Sequence, residues 1–211
     1  MSEAVGAASD LVTSVGAGAV DWVGNAWGGH IGIELAAAHP DQVRSLVAIS
    51  SPTEPNSAAL GWQIRMLIPI FRLFGAIGPV SGAITQGLLT DASRRDALLV
   101  RIVTEGISRP TRRSYINSIH SFVLDRPDIS GLLPQIHRPA LFVTGDDRAE
   151  WSPEQLAASA ALTTGARTVV VADARTLVPL EQPTATTTLI RAFWAEQRTT
   201  VANPPRPTRQ Q

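Results

Sequence analysis

The sequence predicts an α/β fold: a mostly parallel sheet carrying helices on its faces, with a helical insertion. Three observations carry that expectation. A strand-like run, an amphipathic helix and a second strand-like run follow one another over residues 19–49, the βαβ pattern that generates parallel pairing. From residue 55 to 134 helical patterning dominates and no strand-like run intervenes. From residue 135 the alternation of strand and helix resumes. The expected organisation is a core from 1–54 and 135–198, an inserted helical cap at 55–134, and a disordered proline-rich tail at 199–211.

Taken in order, residues 2–15 are alanine-rich and of helical composition, stopping at Gly16 and Gly18. Residues 19–23 form a short β-type run closed by Gly24. In the helix that follows, Ile31, Leu35 and Ala38 fall on one face, and His39-Pro40 ends it. Residues 43–49 read as a buried strand, closed by Ser50-Ser51-Pro52. Within the insertion, helices are expected at 60–74, 93–105 and 112–124. Residues 140–144 make a strand ending at Gly145, and Ser152, Pro153 and Gln155 open a helix with a near capping box. A strand at 167–172 and a helix at 183–197 close the pattern.

Composition excludes several classes of function. The 211 residues are 44% hydrophobic and 17% charged, as in an ordinary globular protein. Eighteen basic residues balance eighteen acidic ones, so net charge makes no case for nucleic acid or an anionic membrane. All the basic residues are arginine, which rules out lysine Schiff-base chemistry. Without cysteine there is neither a thiol nucleophile nor a thiolate metal site. The four histidines lack metal-ligand spacing, and neither metal nor cofactor is expected. The most apolar stretch, 58–84, is interrupted by Arg65 and Arg72 and punctuated by Pro69 and Pro79, unlike a membrane span. Met1-Ser2-Glu3 has neither the basic flank nor the apolar core of a signal peptide, so a cytoplasmic chain is expected.

Gly24-Asn25-Ala26-Trp27-Gly28-Gly29 lies between an expected strand and an expected helix. A G-x-nucleophile-x-G turn needs this context, because its central residue stands on a strained bend that flanking glycines make room for. The flanks extend the match: Val20-Asp21-Trp22-Val23-Gly24 before it, Gly29-His30-Ile31-Gly32-Ile33-Glu34-Leu35-Ala36 after it, then His39-Pro40-Asp41-Gln42-Val43-Arg44-Ser45-Leu46-Val47. Downstream stand Arg138-Pro139-Ala140-Leu141-Phe142-Val143-Thr144-Gly145-Asp146-Asp147 and Leu177-Val178-Pro179-Leu180-Glu181-Gln182-Pro183. Together these segments resemble the α/β-hydrolase family over about residues 1–197, in the order nucleophile, acid, histidine.

What the resemblance implies at the site is a deficit. Ala26 stands at the nucleophile position, where the family places serine or aspartate, and alanine has no heteroatom to attack with. Thr176 stands at the histidine position and does not titrate near neutral pH. Asp147 is the better match for the acid and Asp146 the second, while the usual G-x-x-D register lands on Arg148. The family's strands before the fifth have no counterpart, nor does the loop that donates half of its oxyanion hole. The remaining donor implied is the backbone N–H of Trp27, beside Gly28. The strand at 19–23 would then present a bare edge, which a homodimer, a longer N-terminal portion or a marginal fold would each explain.

Other residues carry paired readings. His30, on the first turn of the helix, reads as packed under the sheet, with recruitment as a surrogate base the alternative. Asp146, Asp147 and Glu150 are either a solvated loop or a relic of the triad acid. Trp27, Trp62, Trp151 and Phe71 are candidates to line an apolar pocket for a small apolar molecule, and equally candidates for core. The functional expectation is an esterase-, dehalogenase- or epoxide-hydrolase-like protein with its triad chemistry impaired or absent. The alternatives are a small-molecule binding protein and a hydrolase working through His30 and Asp147.

Overall fold

In the computed structural model, residues 2–16, 18–75, 78–147 and 150–202 are described; Arg148 and the tail segment 203–211 lie outside them. Four strands form one parallel sheet in the order β1 (Val20–Asn25), β2 (Val43–Ile49), β3 (Ala140–Gly145), β4 (Arg167–Val171). The register sets Val23 beside Val47, Ile49 beside Val143 and Gly145 beside Val171, so the C-terminal ends of all four strands line one rim. β3 is buried along its whole length and β2 along all but Arg44, as befits parallel strands covered on both faces.

Period-two alternation distributes these strands between two cores. Leu46, Ala48, Ala140 and Phe142 point to one face, where Ile33 and Leu35 of α2 (Trp27–Ala38), Val5 and Val12 of α1 (Ser2–Val15) and Leu156 cover them. Val47, Ile49, Leu141 and Val143 point to the other and pack on Val178 and Phe193. The α1, β1, α2 and β2 elements follow the sequence expectation within a residue or two.

Between β2 and β3 the described residues contain helices and no strand: α3 (Ala58–Phe74), α4 (Gly78–Leu88), α5 (Ala97–Ser108) and α6 (Arg112–Ile119). A π-helical turn, His120–Leu124, continues α6. Each of α3, α5 and α6 begins on a side chain that accepts from its first turn: Ser57, Asp96 and Thr111. These helices enclose a small core of their own, with Phe71, Val80, Leu89, Val103 and Ile107. The helix α4 is additional to the sequence expectation. Its glycines and serine give it weak helical preference, and it is held by burying Val80 and Thr85.

After β3, α7 (Pro153–Leu162) starts with the capping box: Ser152 accepts from Gln155 N–H, and the Gln155 side chain accepts from Ser152 N–H. The short α8 (Val178–Glu181) and the long α9 (Pro183–Ala202) close the chain. α9 runs past residue 197, so the expected tail, insofar as it is described, begins as helix rather than coil. Arg126 fastens the insertion to the core. Its buried guanidinium donates to Glu150 Oε1 at 2.7 Å, to the Glu54 carbonyl at 2.8 Å and to Asn56 Oδ1 at 3.0 Å. Among the described residues no helix is long and apolar enough to cross a membrane.

Candidate active site at the strand-to-helix elbow

Ala26 is the single residue between β1 and α2, and it turns the chain with φ 51° and ψ −114°. That conformation is costly for any residue with a Cβ, on the order of 1–3 kcal/mol. The surroundings impose it. Ala26 N–H donates to the Ile49 carbonyl at 2.8 Å, and its own carbonyl accepts from Gly29 N–H, His30 N–H and the Ser51 hydroxyl. Ser51 also donates to the Ile49 carbonyl, so one hydroxyl ties the elbow to the end of β2.

Two glycines permit the bend. A Cβ on Gly24 would stand 2.1 Å from the Gly28 carbonyl carbon, and one on Gly29 would stand 2.0 Å from Ser51 Oγ. A Cβ on Gly28 would meet nothing within 4 Å. Of the two glycines that follow Trp27, Gly29 is therefore the one that geometry demands.

Thr176 is buried in the segment after β4 and is brought against the elbow. Asn25 Nδ2 donates to the Thr176 carbonyl and to the Ile49 carbonyl, both at 3.0 Å, and so knits the two strand ends to the Thr176 loop. The Thr176 hydroxyl is turned toward the Gly87 carbonyl of α4, at 3.4 Å. Asp147 lies two residues beyond the end of β3, and its partner is an arginine. The buried Arg175 donates to Asp147 Oδ2 at 2.6 Å and to the Asp147 carbonyl at 3.1 Å. A further N–H of Arg175 donates to the Gln86 carbonyl. Glu181 accepts from Arg175 N–H and from Thr90 N–H, which locks this loop against the insertion.

Sequence reasoning missed Arg175. The available signal was a lone charge inside the run Ala174–Val178, which is otherwise apolar or small, and a buried charge needs a partner.

His30 is 1% exposed and lies beneath the elbow rather than in front of it. Its Nε2 contacts the Pro52 carbonyl at 2.8 Å; a carbonyl only accepts, so Nε2 carries the proton. Nδ1 is buried with no partner. Burial first, and then the charge of Arg126, pull its pKa from 6.5 down to about 4, against the opposing pull of the Pro52 contact.

Trp27 opens α2, where first-turn N–H groups lack helical acceptors. Its ring stacks on Phe122 of the insertion at 4.5 Å, so aromatic surface roofs the elbow. Trp151 is core, tilted against Phe142, and Phe71 belongs to the core of the insertion. Trp62 is not core: it is 64% exposed on the outside of α3. Nor do Asp146, Asp147 and Glu150 form one solvated cluster, because Asp147 is paired with Arg175 and Glu150 with Arg126. A cavity of about 230 Å³ lies elsewhere, at the far end of α3, between Phe71, Phe74, Ile107 and Arg112. Among the described residues no group of three or more His, Asp or Glu is placed to hold a metal ion.

A model of the alpha/beta hydrolase family matches residues 2–188, nearly the whole described chain. The chain belongs to the α/β-hydrolase family. It is 27% identical over 160 residues to the pimeloyl-[acyl-carrier protein] methyl ester esterase of Stenotrophomonas maltophilia (strain K279a). That alignment covers 72% of this chain and 60% of the esterase, so the chain spans about three fifths of that relative. Among solved structures, it superposes on a thermophilic esterase from Thermogutta terrifontis with a TM-score of 0.77 at 23% identity, covering 89% of this chain and 69% of that one. The enol-lactonase from Burkholderia xenovorans LB400 gives a TM-score of 0.78 at 20% identity, with 90% and 71% covered. These likenesses concern the fold. What the hydrolase scaffold does in this chain depends on its own residues.

Proposed function

We propose that this member of the family retains the scaffold without the triad chemistry. The observation that carries the reading is the methyl group at the apex of the elbow. Ala26 holds the strained bend that exposes a nucleophile, yet it offers no atom that can attack a carbonyl or a carbon–halogen bond. Two further features support it. Thr176 supplies no imidazole, and Asp147, the residue that would orient one, is committed to Arg175 at 2.6 Å. The alternative in which His30 and Asp147 act instead is opposed by the burial of the first and the ion pair of the second.

The test is turnover of p-nitrophenyl esters, haloalkanes and epoxides by the unmodified chain. The expected rate is that of buffer, and esterase activity well above it would overturn the proposal. Restoring Ala26→Ser together with Thr176→His should raise ester turnover by less than about 100-fold, because triad members act as a unit and Asp147 still faces Arg175. A larger rescue, measured on the same esters, would show that Arg175 does not withhold the acid.

The stacked Trp27–Phe122 pair favours a second reading, a binding protein for a small apolar molecule held between cap and core. A thermal-shift screen with esters, lactones and apolar acids tests it, since ligand at 100 times its Kd adds about 2.7 kcal/mol of stability. We also assign the open edge of β1, where Val23 is 41% exposed, as the surface through which a second copy would pair. Sedimentation of the chain with and without Val23→Lys tests that assignment: a monomeric parent, or a dimer that the variant leaves intact, overturns it.

A further inference from the structure

The charge balance of the whole chain hides a division. Residues 55–134 carry nine arginines against five carboxylates, while the remainder carries nine arginines against thirteen. The inserted helices thus hold a surplus of positive charge that the core compensates. Within α3 the division is sharper still, because its only charged residues are Arg65 and Arg72 and neither Asp nor Glu occurs in it.

α3 also turns apolar side chains outward. Trp62, Met66, Ile70 and Leu73 recur at successive turns and fall on one stripe, each between 43% and 69% exposed. Phe74, 58% exposed, extends the patch at the C-terminal end. Arg65 and Arg72 border the stripe on one side, both exposed. The inner residues Gly61 and Phe71 already bury the opposite face against the insertion, so α3 does not need its outer face for packing. Contiguous exposed apolar surface of this kind marks an interaction site.

The charges discriminate between occupants. If a second copy paired through this stripe, Arg65 and Arg72 would meet another pair of arginines, with no carboxylate on either helix to answer them. The Asp125 carboxylate, which Arg65 approaches at 3.9 Å, lies beyond α6 and is itself exposed. An anionic lipid surface satisfies both parts of the face at once: apolar side chains enter the acyl boundary and guanidiniums meet phosphates. Adsorption of this kind requires no spanning helix.

We propose that the outer face of α3 is an interfacial anchor that adsorbs the protein to an anionic phospholipid bilayer, through Trp62, Met66, Ile70 and Leu73 with Arg65 and Arg72 at its rim. The inference is independent of the elbow and holds whether or not the chain turns over a substrate.

The test is co-sedimentation of the full chain with phosphatidylcholine vesicles, with and without phosphatidylglycerol. Adsorption should require phosphatidylglycerol and weaken with added salt. Met66→Asp with Ile70→Asp should lower the partition coefficient at least about tenfold, and Arg65→Gln with Arg72→Gln several-fold, at unchanged circular dichroism. Should the aspartate pair perturb the fold, quenching of Trp62 fluorescence by brominated lipid, read against Trp62→Phe, gives the same decision. The proposal fails if the parent chain does not adsorb, or if adsorption ignores both variant pairs. It also fails if the lipid-free chain is a dimer that the aspartate pair dissociates, which would assign the face to self-association.

Discussion

His30 couples the stability of the fold to pH, and its burial sets the sign of the effect. In the folded chain its Nε2–H is committed to the Pro52 carbonyl, and Nδ1 is buried without an acceptor. A proton on Nδ1 would place an unpaired charge beside the buried Arg126, and the folded pKa falls from 6.5 to about 4. Between those values the unfolded chain binds more protons than the folded one, so stability rises with pH. The contribution is complete above pH 6.5 and is lost as pH falls toward 4. At about 1.4 kcal/mol per pKa unit, the span corresponds to roughly 3 kcal/mol. The perturbation is His30→Gln, whose amide can donate to Pro52 but does not titrate. Urea unfolding at fixed pH between 4 and 7 should show the parent losing about 3 kcal/mol more than the variant over that range. Parallel pH profiles for the two proteins would refute the reasoning, as would an imidazole that titrates near 6.5 by NMR in the folded state.

Ala26→Gly should stabilise the fold by about 1 kcal/mol, because relief of the strain at φ 51° exceeds the added entropy of the unfolded chain; a lowered Tm would count against imposed strain. Gly29→Ala should destabilise by about 3 kcal/mol through overlap with Ser51, and adding Ser51→Gly should recover part of that loss. Additive losses in denaturant unfolding would show that the clash lies elsewhere. Arg126→Met should cost about 2 kcal/mol, less than a fully buried pair because Glu150 retains some solvent, and should make the segment near Asn56 more open to proteolysis.

Much of this fold is legible in the sequence because its two central strands, β2 and β3, are buried on both faces and read as largely apolar runs between turn residues. Residues 43–49 and 140–144 announce themselves in that way, and the glycine-bounded elbow between the first strand and helix fixes their order. The insertion is legible only in part. Long helical runs reveal α3 and α5, whereas α4, with glycines at its start, middle and end, is helical because its neighbours bury Val80 and not because its sequence favours a helix. At the site, the sequence shows Ala26 and Thr176 where the family resemblance leads one to look for a nucleophile and a histidine. The Asp147–Arg175 pair is not visible, since it joins residues 28 apart whose meeting depends on how the loop after β4 crosses β3. Gly145 permits that crossing: a Cβ there would stand 2.1 Å from the Ala174 carbonyl oxygen.

The strained elbow at Ala26 is held in place by the fold itself. A bend kept only to present a reactive side chain would relax with alanine at its apex, because strain without function is a net cost. Here the bend is over-determined instead. Gly24 and Gly29 admit the close approach of β1 to α2, Ser51 bridges Ala26 to β2, and Asn25 ties the same turn to the Thr176 loop. These residues hold the first strand, the first helix of the sheet and the loop after β4 in one arrangement. Removing the strain at Ala26 need not move any of them. The elbow is thus a joint of the fold, and the loop after β4 is fastened beside it by the Arg175–Asp147 pair.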